Sequence, residues 1–163
     1  MTPSPTLPQV THDHHARILA TLDRLPALAD ALLVDDGVAV QPDLVTVRDF
    51  LTGTLLPHMA AAERSVYPEL ERMLQNRHSM APLRREHEEV RGLVSRLSAL
   101  VDALHGVPVG LARALAIRRV LFHLYALLKI HLAEEEAYMH IVEHGVPGDV
   151  GEVIAAAMEH PIG

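Results

Sequence analysis

Apolar positions recur along most of this chain at helical spacing. His15, Ile18, Leu22, Leu25 and Ala29 lie on one stripe at steps of three and four residues. That stripe predicts a first helix over about residues 10–34. Pro26 falls inside it and predicts a kink or break, because proline lacks an amide N–H and its ring clashes with the carbonyl four residues earlier. Asp35-Asp36-Gly37 reads as the closing turn. Pro42 opens a second helix, whose apolar face carries Val47, Phe50, Leu51, Thr54, Leu55 and His58. Pro57 predicts a bend beside His58, and Pro68 predicts a second bend or an end. Ser79 and Pro82 mark the start of a third helix, which runs to about Leu104, where His105-Gly106-Val107-Pro108 stops it. The fourth helix is the longest, over about residues 111–143. A short fifth helix is predicted over about residues 149–158. Four long helices with short links predict an all-α, antiparallel up-down-up-down four-helix bundle with a short C-terminal fifth helix. Residues 1–9, rich in proline, read as a flexible lead, 10–144 as the bundle and 145–163 as the closing helix and tail.

The pattern repeats. His15-Ala16-Arg17-Ile18 leads to Arg24-Leu25-Pro26-Ala27-Leu28-Ala29-Asp30-Ala31-Leu32. His87-Glu88-Glu89-Val90 leads in the same way to Arg96-Leu97-Ser98-Ala99-Leu100-Val101-Asp102-Ala103-Leu104. His15 and His87 are 72 residues apart, and the histidines of the following helices, His58 and His131, are 73 apart. Two helix pairs with one histidine per helix predict a pseudo-two-fold bundle, with one set of inward groups from each half.

Composition narrows the chemistry. Hydrophobic residues make up 49% of the 163 positions and aromatics only 3%, a mix of Leu, Ala and Val that favours helices. A net charge of -7 with scattered arginines argues against a nucleic-acid surface. No apolar run is long and charge-free enough to span a bilayer. The N-terminus lacks a basic stretch followed by an apolar one, so a cytoplasmic protein is the expectation. The chain has 0 cysteines, which excludes thiolate metal sites and leaves histidine and carboxylate as metal ligands.

Those residues occur at a useful spacing. His131 and Glu135 are four apart and share a helix face. In the other half Ala62 holds the equivalent position after His58, and the nearest acid is Glu63, about 140° round the helix from His58. Of the run Glu134-Glu135-Glu136, which spans about 200°, Glu135 should point inward and Glu136 reaches the next position. Tyr67, Tyr125 and Tyr138 are further candidates for the vacancy at Ala62. Their ordinary role is to cap a core by hydrogen bonding. His12 shares the face of His15 as a ligand or a support for one, whereas His14 is about 100° off the stripe and should face solvent. His123, two turns before His131, reads first as a core-packing residue, with a channel or supporting role as the alternative. Glu86, Glu88 and Glu89 read as surface charges, of which one can orient an imidazole.

In its order of His15, His58 with an acid, His87, and His131 with Glu135, residues 10–144 resemble the hemerythrin-like, or His-His-Glu cation-binding, proteins of the bacterial single-domain type. Glu63-Arg64-Ser65-Val66-Tyr67-Pro68 is similar to that family's acid-to-Tyr-Pro ending of the second helix. The resemblance implies a non-haem centre of two iron ions, bridged by carboxylate and by an oxo or hydroxo group. His15, His58, His87, His131 and Glu135 would be ligands. Glu63 is the natural substitute for the acid absent at Ala62, since an acid five residues after a ligand histidine also occurs in oxygen-carrying hemerythrins. Arg91 stands where those carriers have the second histidine of a third-helix pair, which lowers the expectation of simple oxygen carriage. The implied partners are small: dioxygen, peroxide or nitric oxide, bound reversibly or processed in stress defence. Iron sensing or storage is a further alternative.

Overall fold

The computed structural model describes residues 7–34, 37–104 and 106–144, and among them every regular element is helical. The fifth helix expected over residues 149–158 lies outside the described residues. So do residues 1–6 of the N-terminal lead. Residues 7–9 of that lead already belong to a helix. The first column is α1 (Leu7–Leu22) and α2 (Leu25–Ala31), broken at Asp23 and Arg24. Pro26 sits in the first turn of α2, where the missing N–H removes no helical bond. The second column runs α3 (Gln41–Phe50), α4 (Leu56–Ala61) and α5 (Tyr67–Met73), joined by two widened turns, Leu51–Leu55 and Ala62–Val66. α6 (Ala81–Asp102) and α7 (Leu111–His144) are the third and fourth columns.

Each widened turn ends two positions before a proline. Pro57 and Pro68 cannot donate to the carbonyls of Gly53 and Arg64, and their rings push those carbonyls aside. Hydrogen bonds that reach five residues back, Leu56 to Leu51 and Tyr67 to Ala62, absorb the strain without ending the helix. The consequence is rotational. Tyr67 is nine residues after His58, which on an ideal helix puts it about 180° away. The extra residue in Ala62–Val66 takes back about 100°, so Tyr67 stands about 80° from His58 instead of opposite it.

Two apolar clusters fill the interior. The larger includes Ile18, Leu22, Leu51, Leu55, Met59, Val90, Leu97, Leu124, Leu128 and Leu132. The smaller holds Ala62, Tyr67, Leu70, Met80, Leu83 and Met139. Three columns carry buried polar residues, His15 on the first, His87 on the third, and His131 with Glu135 on the fourth, all at most 5% exposed, and the second column adds the partly buried His58. Ion pairs tie the columns along their length: Asp23 to Lys129 (3.0 Å), Asp30 to Arg118 (2.6 Å), Glu71 to Arg84 (3.0 Å) and Arg48 to Asp102. Among the described residues no helix is long and apolar enough to cross a membrane.

Candidate metal centre

One carboxylate organises the polar layer. Glu135 Oε2 lies 3.1 Å from His15 Nε2 and 3.5 Å from His58 Nε2. Its other oxygen, Oε1, lies 3.5 Å from His131 Nε2 and 3.9 Å from His87 Nε2. His87 Nε2 and His131 Nε2 are 3.0 Å apart. The result is two trios, His15–His58–Glu135 and His87–His131–Glu135, each with its ligand atoms within 4.8 Å of one another. Nitrogen and oxygen atoms bound at about 2.0–2.2 Å to one metal stand roughly 3–3.5 Å apart, so small shifts convert either trio into a ligand set.

The outer ring nitrogens explain the orientation. His15 Nδ1 donates to Glu136 Oε1 at 2.7 Å, His87 Nδ1 to Glu63 Oε1 at 2.7 Å, and His131 Nδ1 to Glu86 Oε2 at 2.8 Å. A carboxylate at Nδ1 requires the ring proton there and leaves the Nε2 lone pair pointing inward, the tautomer a metal needs. His12 Nδ1 also reaches Glu136, at 3.4 Å, from an exposed position. We expect Glu86→Ala to weaken metal binding by about 10-fold or more while leaving the stoichiometry unchanged, because the ligand itself remains. A metal-competition titration checks it.

The inner atoms are short of partners. His15 Nε2, His58 Nε2, His14 Nε2 and Glu135 Oε2 are buried without a hydrogen bond among the described residues. The Tyr67 hydroxyl donates to Glu135 Oε1 at 2.5 Å and also lies 3.1 Å from His87 Nε2, so one proton serves two acceptors. A lone pair facing another at 3.0 Å, as between His87 and His131, needs a proton or a cation between them. Buried polar groups left this way are costly. The donor set, four imidazoles and a carboxylate, suits iron, zinc or manganese, so these residues fit a pair of metal ions.

Charges respond to the arrangement. Burial pushes the Glu135 carboxyl up, but the His131, His15 and His58 imidazoles that face it outweigh burial and hold the group far below the usual carboxylate range. Burial lowers His15 and His131, yet Glu135 with Glu136 or Glu86 turns both upward from 6.5. His87 goes down, chiefly through burial, which Glu63 only partly offsets. Burial pushes the Tyr67 phenol up, and Glu135 pushes it further. We expect the metal-free protein, followed by histidine NMR, to show His15 and His131 titrating above 6.5 and His87 below it.

Several expected positions move. Glu63 stands not among the inner atoms but on the outer nitrogen of His87, where Arg91 also holds it at 2.7 Å. The widened turn beginning at Ala62 sets its direction. His14 does not face solvent. Its ring stacks on His58 with centroids 4.7 Å apart, because the neighbouring column covers that side of α1. His123 is exposed, so it neither packs in the core nor forms a channel or ligand contact. Eight residues before His131 is about 80° off its face. Tyr125 packs against the larger apolar cluster with Lys129 over its ring, away from the trios. Tyr138 is half-buried and borders a cavity of about 310 Å³ that also touches His14, His58, Ala62, Tyr67 and Glu135. Glu86 emerges as the His131 partner, a pairing hidden in the sequence because the two residues lie on different helices.

The description "Hemerythrin HHE cation binding domain" matches residues 6–106 and again 78–161. The two matches begin at residues separated by the same interval as His15 and His87, in keeping with the duplicated frame. Comparison with curated proteins and with solved structures returned no match. Matched along nearly its whole length, with paired histidines around one glutamate, the chain belongs to the hemerythrin HHE cation-binding domain family.

Proposed function

We propose that this chain is a non-haem di-iron protein that binds or reacts with dioxygen, peroxide or nitric oxide. One observation carries the reading: the two oxygens of Glu135 face two separate histidine pairs, with His15 Nε2, His58 Nε2 and Glu135 Oε2 buried and without a hydrogen bond among the described residues. His15 and His58 would hold one ion with Oε2, and His87 and His131 the other with Oε1. Bound iron would supply a change of oxidation state and an open coordination position. The protein's own part is geometric. Glu136, Glu63 and Glu86 fix the imidazoles. Apolar clusters flank the layer. Tyr67 keeps a proton at the inner edge, next to Glu135 and His87. The four columns run antiparallel in this reading, supported by the crossed pairing of Asp23 with Lys129 and Asp30 with Arg118.

Turnover of peroxide or nitric oxide is the second reading. It is favoured by the cavity that opens on the trio and by the proton-bearing phenol beside it. Metal content per chain, with the visible spectrum of protein from iron-replete cells, tests the first reading. Two irons with oxo-to-iron absorption support it, and protein without iron overturns it. Peroxide and nitric oxide consumption by the loaded protein then separates carriage from turnover.

A further inference from the structure

The cavity beside the trio is larger than a diatomic requires. A water occupies about 30 Å³ in the liquid, so a cavity of about 310 Å³ has room for roughly ten. Dioxygen, nitric oxide or peroxide fills a small part of it. That volume is at the lower end of pockets that hold organic ligands, about 300–1,000 Å³. The wall is apolar, with Val66, Leu70, Leu83 and Met139, and the polar floor includes His58 and Glu135. Ala61 and Ser65, both exposed, form the rim towards solvent.

Its position is equally informative. Ala62 follows His58 by four residues, the spacing at which Glu135 follows His131. One half therefore has a carboxylate at this place and the other has a methyl group with the cavity in front of it. Two atoms of the floor residues, His58 Nε2 and Glu135 Oε2, are buried without a hydrogen bond among the described residues. The Glu135 side chain is only 6% exposed. Charge points the same way. Glu135 is the inner carboxylate, while Glu63, Glu86 and Glu136 are engaged on outer ring nitrogens. Two divalent ions beside one inner carboxylate among the described residues would leave a strongly positive buried site, which an anion neutralises.

We propose that the cavity takes a small monocarboxylate with an apolar tail. Its carboxylate stands where an acid at position 62 would stand, and its tail runs along Val66, Leu70, Leu83 and Met139. The proposal rests on the di-iron reading, because the carboxylate's partner is the ion held by His15 and His58.

Octanoate is the probe, titrated into the iron-loaded full chain by calorimetry and by its effect on the visible iron bands. Affinity is expected to fall roughly fourfold for each methylene removed from the tail, the worth of one buried CH2. 1-Octanol, with the same tail and no carboxylate, is expected to bind at least ~10-fold more weakly. Ala62→Glu supplies its own carboxylate and fills the space, and is expected to abolish octanoate binding while iron is retained. The tail series and the octanol comparison use the unaltered chain, so they decide the matter even if the variant fails to fold. Octanol binding as tightly as octanoate, or no octanoate uptake by fully iron-loaded protein, overturns the ligand and leaves the di-iron reading standing. Protein that takes up no iron overturns that reading and this proposal together.

Discussion

Glu135→Ala is expected to empty both halves of the histidine layer at once. Each histidine variant removes one ligand from one trio, whereas Glu135 faces both, one oxygen to each pair. Loss of an outer partner of a ligand already weakens metal binding by roughly 10–100-fold. Loss of an inner ligand shared by two ions should exceed about 100-fold for both. The measurement is iron per chain after equilibration with a competing chelator, beside His15→Ala as a variant that spares the His87–His131 pair. Helical circular dichroism of the metal-free forms controls for folding. Retention of full iron content by Glu135→Ala would show that the two trios do not share this carboxylate. Glu63→Ala, in contrast, should resemble Glu86→Ala, since both residues act on an outer ring nitrogen.

Chelation should lower the melting temperature by roughly 10 °C. A ligand at 1,000 times its dissociation constant stabilises a fold by about 4.1 kcal/mol. For a chain of this length, each kcal/mol moves the transition by about 2–4 °C. The gap between loaded and chelated protein should also widen as pH rises from about 6 to 8. In the metal-free protein His15 and His131 have raised values. The stability they contribute is fully present below 6.5 and is lost as pH rises through their folded values. His87, lowered, works in the opposite sense and offsets part of this. Metal binding has the reverse dependence, because protons compete for the imidazoles. Glu135 adds a separate limb at acid pH. Its contribution is present above 4.5 and is lost only as pH falls through its much lower folded value. Differential scanning calorimetry at several pH values checks the gap and its direction. A melting temperature unchanged by chelation at every pH would mean that the layer is structural.

Much of this arrangement follows from one-dimensional spacing. The stripes at three and four residues mark the helical columns, because a helix must turn its apolar side inward whatever its partners are. The duplicated frame places His15 with His87 and His58 with His131 before any contact is known. Four residues from His131 to Glu135 is a full helical turn, so the one acid of that triplet that points inward is legible from periodicity. Prolines 57 and 68 announce disturbance at the right places.

The form of that disturbance was beyond local reading. Proline removes a hydrogen bond, but whether the helix bends, stops or widens depends on what packs against it. Here packing keeps the second column continuous, and the inserted residue rotates Tyr67 onto the inner atoms while Glu63 goes to the outer nitrogen of His87. The same holds for the pairings between columns. Glu86 with His131, Glu136 with His15 and the stacking of His14 on His58 each join residues 44 or more positions apart, and no periodicity along one helix encodes the neighbour's rotation. His123 shows the converse: its helix and height were legible, but a difference of about 80° sends it to solvent. Periodicity determines which side of a helix is buried. Only the mutual rotation of the packed columns decides which buried atoms meet, and here it brings both histidine pairs to the two oxygens of a single glutamate.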